Sequence, residues 1–135
     1  FASTTGTDAD WVVKLIDVYP DSGSADRRMN GYRLIVNADI MRGRYWKGFS
    51  HPSPIPANTV TPFNVDMHDQ LYTFRKGHRM MVQVQSSWFP LYDRNPQKFV
   101  PNIFDAKVTD YTRQEHRIWR TTEYRSRITV QVMPK

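Results

Sequence analysis

The chain is cut into short extended segments, each ended by proline or by a Gly, Ser, Asp or Asn turn, and this rhythm most constrains its fold. Pro62-Phe63-Asn64-Val65-Asp66-Met67 alternates strictly, with Phe63, Val65 and Met67 to one side and Asn64 and Asp66 to the other, the period of a pleated strand. Trp11–Tyr19 reads as a strand stopped by Pro20 and the turn residues Asp21-Ser22-Gly23-Ser24. Tyr32–Ile40 reads as a second, continuing or bending away at Gly43. Leu71–Phe74 is a short extended piece. Arg79–Gln85 is a central strand with Met81 to one side and Val82 and Val84 to the other. Glu115–Thr121 and Ser126–Val132 close the series, with Ile128, Val130 and Val132 sharing a face. The proline-rich His51–Asn58 and the stretch Phe89–Asp110 read as long surface crossings, because proline removes ladder donors. Helical signals are few, so the pattern predicts an all-β, jelly-roll-like β-sandwich.

A length of 135 residues suits a single domain, and 39% hydrophobic against 24% charged residues is a globular balance. No apolar run of membrane-spanning length occurs, which argues against a membrane partner. No leader is visible, and the chain starts at Phe1, so it reads as a mature product or an excised piece. Cysteine is absent, which removes disulfides, thiolate catalysis and Cys-based zinc sites. The net charge of +6 permits attraction to nucleic acid. However, the basic residues are spread from Lys14 to Lys135 without a dense block beyond Arg27-Arg28, and a nucleic-acid footprint needs clustering on one face.

The densest polar group lies between Lys76 and Pro96. His78, Arg79, Ser86, Ser87, Arg94 and Asn95 crowd the end of a strand and the loop after it. Sheet-building alone does not require them, and they are read as a buried, hydrogen-bonded scaffold, since buried polar groups must be matched. Catalysis is not expected from them. No G-x-S-x-G elbow surrounds Ser86 or Ser87, and His78 lies beyond hydrogen-bond reach along an extended chain. His51, His68, His78 and His116 are isolated and lack metal-ligand spacing, so neither a metal nor a cofactor is expected. Asp8 and Asp10 offer two carboxylates that could hold a cation; a turn or a partnered carboxylate is the plainer reading. Trp11, Trp46, Trp88 and Trp119 leave a carbohydrate-binding module as the alternative function. That reading requires a coplanar, exposed pair of rings.

Several segments together resemble a known family. These are Ser3-Thr4-Thr5-Gly6-Thr7-Asp8-Ala9-Asp10 running into Asp17-Val18-Tyr19-Pro20, then Arg42-Gly43-Arg44-Tyr45, Gly77-His78-Arg79, Gln85-Ser86-Ser87, Phe89-Pro90, Asp93-Arg94-Asn95 and Val100-Pro101-Asn102-Ile103. The pattern is similar to the C-terminal, non-catalytic domain of the serine hydrolases that include X-Pro dipeptidyl-peptidase, cocaine esterase and α-amino-acid ester hydrolase, with wording nearest the last. The resemblance implies a jelly-roll domain, residues 1–135, that forms the C-terminal part of a larger hydrolase. It implies a catalytic triad in an upstream α/β-hydrolase domain of the same polypeptide, with no position here matching it. The accessory domain would brace that partner and shape its active-site entrance. Trp88, Phe89, Pro90, Leu91 and Tyr92 are the expected interface. The resemblance favours a periplasmic or extracellular location without fixing it.

The family's domain has a strand or more before the S-T-T-G-T-D segment, and only Phe1-Ala2 stands there in this chain. An unpaired edge is therefore expected, with self-association into a homo-oligomer or a longer polypeptide beside it. The alternative is that Ala2–Thr5 folds back and closes the edge.

Overall fold

The computed structural model describes residues 1–134, which form an all-β sandwich of two antiparallel sheets. Five strands run in chain order: β1 Ala2–Thr4, β2 Asp10–Val18, β3 Arg33–Arg42, β4 Arg79–Gln85 and β5 His116–Ile118. The larger sheet has the order β3-β2-β4 and the smaller pairs β1 with β5. Strand β2 is central because its sequence, DWVVKLIDV, is nearly continuous in apolar residues. Val12, Ile16 and Val18 are buried, as expected where neighbours flank a strand on both sides. Asp10 lies opposite Arg42 and Val12 opposite Gln85, and a bulge shifts the β2–β3 register between Leu15 and Ile16. No helix among the described residues is long and apolar enough to cross a membrane.

Ala2, Ala9, Trp11 and Ile55 form the core, with Met41, Trp46 and Phe63 packed against them. The proline-rich crossing is thus not purely a surface connection, because it delivers Ile55 to the interior. The Ile55 amide donates to the Thr7 carbonyl at 2.9 Å, and the Ser53 amide to the Arg44 carbonyl at 2.8 Å.

Strand β1 was not expected from the sequence. It sits between β5 on one side and the 58–61 segment on the other. The Ala2 and Thr61 amides donate to each other's carbonyls at 3.0 and 2.8 Å, and the Asn58 amide donates to Thr4 at 2.8 Å. The N-terminal run therefore folds back and occupies the edge on both sides, as the alternative reading held.

Two segments expected as strands and one expected as a short extended piece form no strand among the described residues. Pro62–Met67 and Leu71–Phe74 keep the alternation, with Phe63, Val65, Met67, Tyr72 and Phe74 half-buried and their neighbours exposed, but neither acquires a ladder partner. Ser126–Val132 is also outside any strand, and Ile128, Val130 and Val132 are exposed rather than turned inward. Alternation encodes which side is apolar, whereas a ladder needs a second chain segment at hydrogen-bond distance.

Gly43 ends β3 and opens a short 3₁₀ turn, Gly43–Tyr45. Its amide donates to the Ala9 carbonyl at 2.7 Å. A Cβ at this position would lie 2.5 Å from that backbone oxygen and 2.5 Å from Ile55 Cδ1. Backbone cannot yield as a flexible side chain does. Gly43→Ala is expected to cost about 1–3 kcal/mol, as overpacked sites do. A urea midpoint unchanged by the substitution would show that the contact relaxes freely.

Candidate docking surface

Two buried ionic constellations sit at opposite ends of strand β2. The first joins the S-T-T-G-T-D-A-D and R-G-R-Y segments. Asp8 and Asp10 are fully buried at the entry to β2, and Arg42 and Arg44 reach them from the end of β3. Arg42 Nε stands 3.6 Å from Asp10 Oδ2, and Arg44 Nε stands 3.6 Å from Asp8 Oδ2. These are ion pairs too long to be hydrogen bonds. The guanidiniums spend their donors on carbonyls instead, Arg42 on Asp93 at 3.0 Å and Arg44 on Val100. Arg44 also lies over the Phe99 ring at 4.8 Å. Asn95 completes the group by donating from Nδ2 to Asp10 Oδ1 at 2.9 Å. Burial raises the Asp8 carboxyl above its usual range and pushes Asp10 up to about 6, against the lowering effect of Asn95 and the two arginines. Desolvation outweighs the attraction because neither arginine makes a direct hydrogen bond to its carboxylate. The two carboxylates thus face guanidiniums, and no group of three or more metal-ligating side chains occurs among the described residues.

The second constellation centres on Asp17, also fully buried. His78 Nδ1 lies 2.9 Å from both carboxylate oxygens, and Tyr72 Oη donates to Oδ2 at 2.6 Å. That hydrogen bond, with burial, pushes the Tyr72 hydroxyl up to about 12. The His78 ring packs on Tyr19 at 4.4 Å, and Tyr19 on Tyr32 at 6.0 Å. The hydroxyl that completes this histidine–carboxylate pair belongs to a tyrosine, and neither Ser86 nor Ser87 is within reach of it.

The six residues read from the sequence as one scaffold therefore do not come together. His78 joins Asp17, and Asn95 joins Asp10. Arg79, Ser86, Ser87 and Arg94 are exposed. Ser87 Oγ accepts only from the Phe89 amide, at 3.4 Å, and Arg94 stacks on Phe89 at 4.6 Å. The arginines that reach the buried carboxylates are Arg42, half-buried, and Arg44, buried. The signal available was the identical two-residue spacing of Asp8 and Asp10 against Arg42 and Arg44, on segments predicted to pair.

Beyond Asn95, the loops carry an apolar surface. Phe89 is 58% exposed, Leu91 65% and Phe104 77%. Trp88 and Tyr92 are half-buried, their rings 5.9 Å apart, and Lys14 Nζ sits 5.0 Å over Trp88. Phe89, Arg94, Ile103, Phe104 and Tyr111 line an open groove of about 360 Å³. Large aromatics exposed side by side are typical of contact surfaces. The remaining tryptophans are placed otherwise. Trp11 is in the core, Trp46 packs against it, and Trp119 donates from Nε1 to Ser3 Oγ at 3.0 Å. No two indoles form the exposed, coplanar pair that a sugar platform needs.

Residues 1–129 match the family described as X-Pro dipeptidyl-peptidase C-terminal non-catalytic domain. The chain belongs to this family. It is similar to a cocaine esterase from Rhodococcus sp. (strain MB1 Bresler), with 38% identity over 95 residues, which are 70% of this chain and 15% of that protein. It is also similar to the crystal structure of an aminopeptidase from a marine sediment archaeon, Thaumarchaeota archaeon, with 52% identity and a TM-score of 0.88 over 92% of this chain and 20% of that one. An α-amino-acid ester hydrolase structure matches with 50% identity and a TM-score of 0.83 over 91% of this chain and 20% of that one. The chain thus spans about a fifth or less of the length of each relative. Most of the family's segments read from the sequence are joined by the two constellations; Gln85-Ser86-Ser87 and Phe89-Pro90 are not.

Two outcomes follow from the buried charges. Arg44→Ala strands a buried Asp8 carboxylate and is expected to cost about 3–5 kcal/mol, the usual penalty for breaking a buried pair. Removal of the solvated Arg28–Asp26 bridge should leave the denaturation midpoint in place, and equal effects from the two would refute the ranking. The Asp10 carboxyl holds its proton more tightly folded, at about 6, than unfolded, at about 3.9. Its contribution to stability is thus present below about pH 4 and lost as pH rises through about 6. Asp10→Asn should remove that slope between pH 4 and 6, measured by denaturation at each pH, whatever its fixed offset.

Proposed function

We propose that residues 1–135 are one sandwich domain forming the C-terminal, non-catalytic part of a longer serine hydrolase, and that they brace an α/β-hydrolase catalytic domain carried on the same polypeptide. The observation that carries this reading is the match of residues 1–129 to a domain described as non-catalytic, together with the small share of each relative that the chain spans. The relatives are named as an esterase, an aminopeptidase and an ester hydrolase. The shared chemistry of those names is nucleophilic attack on an acyl carbon, in which a serine nucleophile needs a base and an oxyanion site held in fixed geometry. The parent's reaction is accordingly cleavage of an ester, amide or peptide bond.

The contribution of these residues is mechanical. The Asp–Arg constellation and Asn95 tie strand ends to the loop from Trp88 to Val100, so the aromatic surface is presented on a preformed support. Trp88, Phe89, Pro90, Leu91 and Tyr92 meet the catalytic domain and shape the approach to its active site. A rigid wall at that position serves catalysis by fixing geometry and excluding water, not by proton transfer.

The test uses the full-length polypeptide and amino-acid or p-nitrophenyl esters. Ser86→Ala and Ser87→Ala are expected to retain turnover. Phe89→Ala is expected to lower the melting temperature more than it alters kcat. Loss of turnover in either serine variant, or a large fall in kcat at unchanged melting temperature, would place chemistry in this domain and overturn the reading.

A further inference from the structure

The groove beside Phe89 has a definite chemistry. One wall is the loop carrying Phe89, Asp93 and Arg94; the other is Ile103, Phe104, Ala106 and Tyr111, on and between two 3₁₀ turns, Ile103–Asp105 and Val108–Asp110. Both walls are tied down. Arg42 holds the Asp93 carbonyl at 3.0 Å, and Asn95 is buried on Asp10. Asn102 Oδ1 accepts from the Phe104 amide at 3.1 Å, and Asp110 Oδ2 accepts from the Lys107 amide at 3.0 Å. Buried Ile103 plugs the floor while Phe104 projects outward. Arg94 Cζ lies over the Phe89 ring, 4.6 Å from its centroid, and among the described residues it has no hydrogen-bond acceptor. Stacking positions a guanidinium while leaving its planar donors free for a carboxylate.

We propose that this groove receives a segment of the same polypeptide lying outside residues 1–135, one that presents a carboxylate to Arg94 beside an aliphatic or aromatic side chain seated between Phe89 and Phe104. This rests on the proposed docking to a catalytic domain and names the partner's chemistry. Three observations favour that occupant. Most of each relative's length lies outside the matched region. The chain carries a net charge of +6, which an acidic partner face complements. The apolar side chains and the unpaired arginine line one groove, with the exposed Asp93 also on its lining, the pattern of an interface anchor with its charged rim.

The experiment is limited proteolysis of the full-length polypeptide, following release of the C-terminal domain, with sedimentation alongside. Release tracks the population of undocked domain. Phe104→Asp and Arg94→Glu are each expected to speed release by about tenfold or more, as loss of an interface anchor does. Arg94→Lys should fall between these and the unaltered chain, and added salt should narrow the Arg94→Glu difference. Arg94 and Phe104 are exposed and bond nothing needed for folding, so unaltered melting of the released domain confirms that the variants fold. Leu91→Asp, outside the groove, separates the two readings. If Leu91→Asp speeds release and the groove variants do not, the groove inference falls and docking stands. If none of the three does, both fall. If Phe104→Asp dissociates a dimer without speeding release, the occupant is a second copy and the inference is overturned.

Discussion

The loops that follow the central sheet hang on two carboxylates forced out of water. Asp8 and Asp10 sit at the start of the central strand, where Ala9, Trp11 and Val12 exclude solvent on all sides. A buried carboxylate is tolerable only with compensation, and the compensation comes from the far end of the neighbouring strand. Antiparallel register sets Asp10 opposite Arg42, and the tight turn at Gly43 lets Arg44 reach Asp8. Glycine is required because the Ala9 carbonyl occupies the space a side chain would need.

The arginines carry that constraint outward. Each pairs with a carboxylate at one side and hydrogen-bonds a loop carbonyl at the other, Asp93 for Arg42 and Val100 for Arg44. A loop of this length would otherwise be among the least ordered parts of a small domain. Here its backbone is fastened at two points and its Asn95 at a third. The aromatic groups that project from it are therefore held in a preformed array, and a preformed array lowers the ordering cost of the docking proposed above. The desolvation that raises the Asp8 and Asp10 carboxyls is the energetic cost of building that support.

Reading the sequence located the important segments but distributed their roles imperfectly. Asp8, Asp10, Arg42, Gly43, Arg44, His78 and Asn95 all lie in the motifs that carried the family resemblance, and residues 1–129 match that family. The error was to infer contact from proximity in sequence. His78 and Asn95 are near each other along the chain, yet they serve carboxylates seven residues apart on β2, Asp17 and Asp10. Asp17 was invisible as a site because an acidic residue in a strand reads as solvent-facing until a partner is known.

The sequence by itself determined the all-β class, the positions of β2, β3 and β4 to within a residue or two, the bend at Gly43 and the family. These are local consequences of side-chain period, turn chemistry and motif. Tertiary structure alone decided which extended segments became strands. Pro62–Met67 alternates more strictly than Ala2–Thr4, yet only the latter finds partners, in His116–Ile118 and at Thr61. It also decided that a proline-rich loop supplies Ile55 to the core, and that Arg42 and Arg44 rather than Arg79 and Arg94 are the cations paired with buried carboxylates. Hydrogen-bonded ladders and desolvated charge pairs are both contacts between distant parts of the chain. Their energy depends on a distance that no local pattern specifies.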